Sequence, residues 1–244
     1  IVDNNIAYTL ADNLLTILPG EYEVRSDIIL PPGIHLEIRP GTSLSLGPSK
    51  SFLTQSTLRI LGTSDAPVVV RRQAPDEAFG TFAILGSNSS DIVDMKHFYV
   101  SGGGEALVRG VHFTGQLAIH HVKHALLDHV YVSGSASADG LNIKNAQVDI
   151  RDCSFFDNAA DQVDLDFCNG RVTKSTFRVE KSEGTQAAQD QNGDGLDMSG
   201  SVIVAHDNTF VGFPDKALSI GERTSILVSN NRFRRNTTSI AVKD

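Results

Sequence analysis

The chain has 244 residues, of which 40% are hydrophobic and 20% charged, an ordinary composition for one folded domain. Its formal net charge of −8 argues against a nucleic-acid backbone as a partner. Two cysteines cannot form a disulfide framework, and no apolar run approaches the roughly 18 residues of a membrane-spanning helix.

Short strands are predicted in the first third of the chain, separated by turns that contain Pro and Gly. They lie at residues 28–30, 36–38, 44–46, 58–60 and 68–70. Ahead of them, residues 9–17 are consistent with a short helix that caps the open first coil.

The second half of the chain repeats every 22 residues or so. Five short segments are apolar at their second and fourth positions, which defines two columns. The first column is Leu141, Val163, Leu196, Leu218 and Ile240, and the second is Ile143, Leu165, Met198, Ile220 and Val242. The steps are 22, 33, 22 and 22, so one coil carries an insertion of 11 residues, most simply residues 181–191.

An aromatic ladder repeats in step with these columns. Its members are Tyr131, Phe155, Phe177, Phe210 and Phe233, each preceded by an apolar position: Leu126, Ile150, Val172, Ala205 and Val228. We expect all of these side chains to point inward. The chain has no Trp, so an inward ladder leaves neutral glycans no obvious aromatic stacking surface.

These strands alternate with period 2, and no segment of helix length follows a 3.6-residue period. The pattern predicts an all-β fold, a right-handed parallel β-helix of about ten coils that forms a rod on the order of 50 Å long. The alternative, a β-sandwich, does not predict columns that recur in step. We expect one domain over residues 1–244, and the end of the chain directly after a strand suggests a module of a longer polypeptide with further domains.

Outward positions between the apolar columns are rich in carboxylates. The three columns, in order along the strand, are first Asp139, Asp161, Asp194, Lys216, Thr238; then the central column Asn142, Asp164, Asp197, Ser219, Ala241; and third Lys144, Asp166, Ser199, Gly221, Lys243. Residues 139–197 hold 12 acidic and 6 basic side chains, so most of the net charge lies on three stacked coils.

Stacking places equivalent side chains about 4.8 Å apart, where two carboxylates repel by roughly 3–4 kcal/mol at an effective dielectric of 20. Asp161, Asp164, Asp194 and Asp197 would form a square of such contacts. Solvent, a proton or a cation can relieve the repulsion, and oxygen ligands favour Ca²⁺. Three interpretations stay open: a solvated acidic face, a Ca²⁺ site that includes Asp139, and carboxylates that catalyse.

The columns resemble the pectate-lyase-like superfamily of right-handed β-helices. The phrases at 161–167 (DQVDLDF), 192–201 (NGDGLDMSGS), 215–222 (DKALSIGE) and 241–244 (AVKD) are similar to bacterial β-helix modules that accompany CotH-type, spore-coat-kinase-like domains. This resemblance implies the fold and an extracellular setting rather than a chemistry.

Two enzyme families show partial resemblance. Residues 138–140 (ADG) and 157–164 (DNAADQVD) resemble the Ca²⁺-binding coils of family-nine pectate lyases, although Ala160 and Asp197 stand where that family has an Asp and the proton-abstracting Lys. Lys216 lies one coil further on. Residues 193–195 (GDG) and Asp215 are similar to polygalacturonase motifs, in which a second acid stands at the position of Lys216 and a Gly-His-Gly coil at 237–239.

Two functions follow from these features. The first is a secreted or cell-surface module that binds polysaccharide or forms a scaffold, with Ca²⁺ on the aspartates and without nucleic-acid or membrane partners. The second is a polysaccharide lyase or glycoside hydrolase that uses the same ladder. Candidate residues for catalysis are Lys216, Asp215 and Glu222, and those for substrate binding are Lys144, Asp166 and Lys243. The broken enzyme motifs favour the first.

Overall fold

The computed structural model describes residues 1–137, 139–180 and 193–243. These residues form an all-β solenoid, a parallel β-helix of nine coils with three strand segments each. Within them the one helical element is a 3-10 turn at Val2–Asn4. No helix in these ranges is long and apolar enough to cross a membrane.

Sheet 1 takes one parallel strand from each coil. Its strands are β4 (Ile28–Ile29), β7 (Phe52–Thr54), β10 (Phe82–Leu85), β14 (Gly115–His120), β16 (Asp139–Lys144), β19 (Val163–Asp166), β22 (Leu196–Ser199), β25 (Lys216–Ile220) and β28 (Thr238–Val242).

Sheets 2 and 3 form the other two faces and are joined by two strands of ten residues, β11 (Ile92–Ser101) and β15 (His124–Ser133), which run through both. The remaining strands of sheet 2 are β2 (Leu14–Ile17), β5 (His35–Ile38), β8 (Leu58–Leu61), β17 (Gln147–Arg151), β20 (Asn169–Thr173), β23 (Val202–His206) and β26 (Ser225–Ser229). Those of sheet 3 are β3 (Gly20–Val24), β6 (Thr42–Leu46), β9 (Val68–Arg72), β18 (Ser154–Phe156), β21 (Thr176–Arg178), β24 (Thr209–Val211) and β27 (Arg232–Arg234).

From the fourth coil on, one residue per coil in the left-handed conformation lies at the corner between sheet 2 and sheet 3. These residues have φ between 43° and 60°, and they are His97, His129, Asp152, Lys174, Asp207 and Asn230. The same corner in each of these six coils keeps the strand that follows it in register with the equivalent strand of the preceding coil.

The two apolar columns are confirmed. Leu141, Val163, Leu196, Leu218 and Ile240 are successive register partners, as are Ile143, Leu165, Met198, Ile220 and Val242. The step from Val163 to Leu196 confirms the long coil, whereas the predicted insertion at 181–191 lies outside the described residues. Inside the rod, Phe155, Phe177, Phe210 and Phe233 stack with ring centroids 5.0, 4.6 and 5.1 Å apart.

The prediction that Tyr131 begins this inward ladder is wrong by one residue. Val132 pairs with Phe155, and Leu127, rather than Leu126, pairs with Ile150. Since side chains alternate along a strand, this one-residue error exchanges inside and outside. Tyr131 and Leu126 therefore face outward, 38% and 39% exposed.

The predicted capping helix at residues 9–17 is also wrong. The segment is an antiparallel hairpin of β1 (Tyr8–Ala11) and β2, whose two-residue turn is Asp12-Asn13. Both turn residues have positive φ, 48° and 62°, the conformation of a tight hairpin turn that Asp and Asn tolerate. β1 then covers the edge of the first coil with hydrogen bonds, which is the task expected of the helix.

A second hairpin, β12 (Ala106–Val108) with β13 (Val111–Phe113), lies on the outer surface of sheet 1. Val108 and Phe113 cover Leu53, Ala83 and Ala118, outward residues of three early strands, in a small second hydrophobic core. The outer face of sheet 1 is therefore closed over by protein in its early coils.

Candidate functional site

The outer face of sheet 1 changes character after the covered coils and becomes the acidic strip, defined as its outward side chains from β16 to β28 together with Asp215. Register pairing confirms its central column, Asn142, Asp164, Asp197, Ser219 and Ala241. Flat, parallel strands hold these side chains, so their spacing is fixed by the backbone.

A chain of hydrogen bonds enters the central column from its covered end. His120 donates from Nε2 to Asn142 Oδ1 at 2.8 Å, and Asn142 Nδ2 donates to Asp164 Oδ2 at 2.7 Å. Burial lowers the pKa of His120 to about 4, so this ring is neutral at physiological pH. Asn142 therefore presents its amide donor to the first aspartate of the column.

Two polar atoms in the middle of the strip have no hydrogen-bond partner. They are Asp197 Oδ1 and Ser219 Oγ, which belong to adjacent residues of the central column and are shielded from solvent. Lys243 Nζ lies 3.7 Å from Asp197 Oδ1, an ion pair longer than a hydrogen bond. Ser219 is fully buried.

The first outward column links three coils. Asp161 Oδ1 accepts the backbone N–H of Asp194 at 2.7 Å, and Asp194 Oδ1 accepts that of Lys216 at 3.1 Å. Lys216 Nζ lies 3.0 Å from Asp194 Oδ1 and also contacts Asp215. The Asp194 and Lys216 side chains are only 5% and 15% exposed, so this pair is shielded from water.

The third column carries an ion pair at 2.9 Å between Lys144 Nζ and Asp166 Oδ2. Lys144, Asp166 and Lys243, predicted to bind substrate, thus lie in one column with partly exposed side chains. Of the residues predicted to catalyse, Glu222 is exposed in the turn after β25, where its backbone oxygen accepts the N–H of Gly200. Lys216 and Asp215 join the strip.

Burial raises the pKa values of three aspartates in the strip far above the ordinary 3.8. The pKa of Asp161 rises to about 9 and that of Asp164 to about 8, in each case through burial and then the charge of Asp139. Burial raises the pKa of Asp139 to about 7, although the backbone N–H of Asp161 opposes the shift. Asp161 and Asp164 are therefore protonated at neutral pH.

Lys216 is poorly suited to abstract a proton. Desolvation would lower its pKa, but the hydrogen bonds and charges of Asp215 and Asp194 outweigh burial and raise it above the ordinary value. A lysine that acts as general base must be deprotonated at the working pH. The lysine assigned to lyase chemistry by sequence therefore stays a charged partner of two aspartates.

The predicted Ca²⁺ ligands, Asp139, Asp161, Asp164, Asp194 and Asp197, all come to one face. Their donor chemistry, oxygen only, suits Ca²⁺. In the described ranges, however, no three His, Cys, Asp or Glu side chains converge as a ready-made metal group. A cation bound here would have to draw the aspartates together and displace the protons of Asp161 and Asp164.

A buried amide network supports the corner before β16 and β19. Gln116 Nε2 donates to Asn158 Oδ1 at 3.0 Å, and Asn158 Nδ2 donates to Gln162 Oε1 at 2.8 Å. Gly140 is required here, because a Cβ on it would lie 2.4 Å from Asn158 Nδ2. Sequence analysis missed these amides because a lone Gln or Asn carries no spacing signal.

No family model matches the chain, and no curated protein matches it in sequence. Solved structures align at low identity. An alginate lyase from Paenibacillus sp. str. FPU-7 aligns with a TM-score of 0.39 and 13% identity over 82% of this chain and 71% of its own. ORF18 of Geobacillus virus E2 aligns with a TM-score of 0.37 and 14% identity over 98% of this chain and 56% of its own. The catalytic domain of a GH87 α-1,3-glucanase in complex with nigerose aligns with a TM-score of 0.25 and 11% identity over 94% of this chain and 63% of its own. These likenesses concern architecture alone, and the chain spans less than two thirds of the last two proteins.

Proposed function

We propose that this chain is an extracellular β-helix that binds polysaccharide on the acidic strip. One observation carries the proposal: Asp197 Oδ1 and Ser219 Oγ, on register partners in the middle of the strip, are shielded and have no hydrogen-bond partners. Each such atom costs about 1–3 kcal/mol. A sugar hydroxyl both donates and accepts, so hydroxyls of a glycan that displaces the groups covering these atoms could satisfy the carboxylate and the serine.

The form of the strip favours a polymer over a compact ligand. The central column presents one polar residue per coil from Asn142 to Ser219, so a linear chain of sugars that runs along the rod can meet a polar group on each of four coils. Lys144 and Lys243 supply donors at the two ends of the third column. The covering hairpin β12–β13 bounds the strip on its early side.

A divalent cation is part of this proposal when the polymer is acidic. A uronate carboxylate and the aspartates repel each other unless a positive charge lies between them. Asp161, Asp164, Asp194 and Asp197 carry the oxygen ligands that Ca²⁺ prefers and would converge only when the ion binds, and Asp197 Oδ1 has a free acceptor site. Ca²⁺ would bind there in exchange for the protons of Asp161 and Asp164.

Glycosidic-bond hydrolysis is the second candidate, favoured by the raised pKa of Asp164. Hydrolases pair a protonated carboxyl, which protonates the leaving oxygen, with a carboxylate that acts as base or nucleophile. Asp164, with a pKa of about 8, is the register partner of Asp197, whose Oδ1 faces the Lys243 ammonium. The charged state of Lys216 disfavours the lyase alternative.

Incubation with a panel of uronans and neutral glycans, with and without Ca²⁺, separates binding from cleavage. We expect the protein to retain a uronan in a binding assay when Ca²⁺ is present, and to generate no new chain ends in that uronan. New reducing ends that disappear in Asp164→Asn would establish the hydrolase instead. Unsaturated ends lost in Lys216→Ala would establish a lyase, and no retention of any glycan would refute both candidates.

A further inference from the structure

Two columns of outward side chains run the length of the rod on sheet 3, and together they are here called the sheet 3 face. Each column takes one residue from each of the nine coils, and the pairing of neighbouring strands sets its register. The first column is Glu21, Ser43, Val69, Tyr99, Tyr131, Ser154, Thr176, Thr209 and Arg232, and the second is Glu23, Ser45, Arg71, Ser101, Ser133, Phe156, Arg178, Val211 and Arg234.

Charges of opposite sign lie at the two ends of the sheet 3 face. Glu21 and Glu23 are exposed in the first coil, beside a cleft of about 270 Å³. Glu23 pairs with Arg25, but both side chains are exposed, so this pair exchanges partners easily. Arg232 and Arg234 are exposed in the ninth coil, and within the described ranges neither makes an ion pair. The face therefore has an acidic end and a basic end.

The middle of the face is an apolar cluster of rings. Tyr131 belongs to the fifth of the nine coils, and Tyr99 and Phe156 belong to the fourth and sixth. The rings of Tyr99 and Phe156 lie 5.7 and 5.3 Å from that of Tyr131, between centroids, yet Tyr99 and Tyr131 stay 39% and 38% exposed. Aromatic residues at the centre and charges at the rim are typical of protein interfaces.

A second copy of the chain complements this pattern when it packs face to face in the opposite direction. A two-fold axis along the sheet 3 part of β15 places the first coil opposite the ninth, the fourth opposite the sixth, and the fifth opposite itself. Glu21 then faces Arg232 of the copy, and Glu23 faces Arg234. With both rods in the same direction, acids would face acids and arginines would face arginines.

The remaining coils are compatible with this arrangement. The second and eighth coils bring serine, threonine and valine side chains together. In the third and seventh coils, Arg71 faces Arg178 of the copy, so two charges of the same sign meet. Glu180 pairs with Arg178 and offsets its charge, which weakens the repulsion.

The sheet 3 face is large enough for a specific contact. Nine coils at a spacing of about 4.8 Å, with strands about 10–17 Å long, give on the order of 600 Å² per copy. Two copies would bury about 1,200 Å², the lower end of the range for specific interfaces. The strands of the two copies would lie nearly aligned, as in packed sheets. This area suits a dimer that forms at micromolar concentration.

We propose that the sheet 3 face is a homodimer interface, in which two copies pack antiparallel about Tyr131 and the acidic end of each meets the basic end of the other. The acidic strip lies on sheet 1 and stays accessible, so the dimer presents two strips that run in opposite directions. The interface goes beyond the proposed function and does not depend on it.

Sedimentation velocity over a concentration series, without glycan or Ca²⁺, tests the proposal. We expect wild type to dimerise with a Kd on the order of 10 µM and more weakly at high salt. Tyr131→Lys places two ammonium groups at the two-fold axis and should raise the Kd at least about tenfold. Leu126→Lys, equally exposed on the sheet 2 part of the same strand, is the matched control and should dimerise like wild type.

Reversal of the terminal charges tests the direction of packing. Glu21→Arg/Glu23→Arg should abolish the dimer, because arginines then face arginines. Addition of Arg232→Glu/Arg234→Glu to the same chain restores opposite charges at each contact and the net charge of wild type, and should restore the dimer. Recovery in this quadruple variant also shows that the first pair of substitutions did not unfold the chain.

A monomer at every concentration would overturn the proposal. So would a dimer that Leu126→Lys weakens as much as Tyr131→Lys, or one that survives reversal of the acidic end alone, as a parallel dimer would. A monomeric wild type that loses uronan retention in Arg232→Glu/Arg234→Glu would assign the arginines to a glycan instead. Asp164→Asn, in the acidic strip, should leave dimerisation unchanged, which separates failure of this proposal from failure of the proposed function.

Discussion

Burial and neighbouring groups decide the charge of each aspartate in the acidic strip. Asp161 keeps a proton at neutral pH, while Asp194, two strand positions before the inward Leu196, accepts hydrogen bonds from Lys216. A strip of fully ionised carboxylates would repel itself strongly. Protonation and lysine contacts remove most of that repulsion in the absence of a ligand.

Folding stability should therefore depend on pH through Asp161. Its pKa is about 9 in the folded chain and near 3.8 when unfolded, so the folded state holds a proton that the unfolded state releases. Stability then falls as pH rises from about 4 to 9. We expect the Tm to fall over this range in thermal unfolding, and Asp161→Asn, which has no proton to lose, to show a shallower fall.

Asp149→Asn is the control for this measurement, because Asp149 lies on sheet 2 in an ion pair with Arg171. Its pH profile should run parallel to that of wild type. Parallel profiles for wild type and Asp161→Asn would instead show that the Asp161 proton does not differ between the folded and unfolded states.

Calcium should bind with release of protons. At pH 7 the cation would replace protons held by Asp161 and Asp164, so the apparent affinity should rise with pH. Calorimetric titration of Ca²⁺ in two buffers of different ionisation enthalpy measures the release directly. Heats that agree between the buffers would contradict proton exchange, and the absence of heat at pH 6 and pH 8 would remove the cation from the proposal.

Elements of this fold are held together by short ladders that cross the coils inside the corners. The Cys153 N–H donates to Ser175 Oγ at 3.1 Å, the Ser175 N–H to Asn208 Oδ1 at 2.9 Å, and the Asn208 N–H to Asn231 Oδ1 at 2.8 Å. Each side chain satisfies a backbone group of the preceding coil. The ladder fixes where sheet 3 begins in successive coils.

Removing one side chain of this ladder should destabilise the fold more than removing an exposed amide side chain. Asn208 is fully buried and also donates from Nδ2 to Val172 O at 2.8 Å, so Asn208→Ala leaves two groups of the preceding coil, the Ser175 N–H and the Val172 carbonyl, without partners. We expect a loss of about 2–4 kcal/mol in the free energy of unfolding, measured with denaturant. Asn169→Ala, at an exposed position, should change it by less than about 0.5 kcal/mol. Equal losses would contradict the ladder.

Repetition explains how much of the fold could be predicted. Leu141, Val163 and Leu196 recur in step, so strands, inward columns and the carboxylate face follow from spacing alone. Tyr131 was misplaced because the step to the next coil is 23 residues rather than the 24 assumed. Where only one coil deviates by one residue, periodicity cannot tell inside from outside.

Features that occur once could not be predicted in this way. The covering hairpin β12–β13 interrupts a coil between sheets 3 and 1 and has no counterpart among the described residues of the other coils. The raised pKa values of Asp139 and Asp161 arise from burial, which spacing does not encode. For the candidate site, sequence thus predicted which aspartates share a face, but not their protonation, lysine partners or the unpartnered Ser219.

The whole molecule is a one-dimensional stack, in which each coil depends mainly on its neighbours. Burial is not uniform along it. Phe155, Phe177 and Phe210 are fully buried in the middle coils, whereas the inward Ile240 and Val242 in the last described coil are 43% and 74% exposed. The acidic strip extends from the well-packed coils into the more open ones.

Amide hydrogen exchange should follow this gradient. We expect the backbone amides of β19 and β21 to exchange more slowly than those of β26 and β28, because local opening costs less where fewer apolar side chains are buried. Mass spectrometry of peptic fragments resolves the difference. Uniform protection along the rod would show a single cooperative unit and contradict the gradient.

The acidic strip as a glycan-binding surface is the central claim, and calorimetric titration with oligouronates in the presence of Ca²⁺ tests it most directly. The double variant Asp164→Asn/Asp197→Asn changes the strip, and Asp94→Asn/Asp149→Asn makes the same two kinds of substitution on sheet 2. The two variants match in the residues substituted rather than in charge, because Asp164 is protonated at neutral pH without a ligand. We expect the sheet 2 variant to bind like wild type and the strip variant to bind at least about tenfold more weakly. Equal affinity of all three proteins, or no binding by wild type, would contradict the claim.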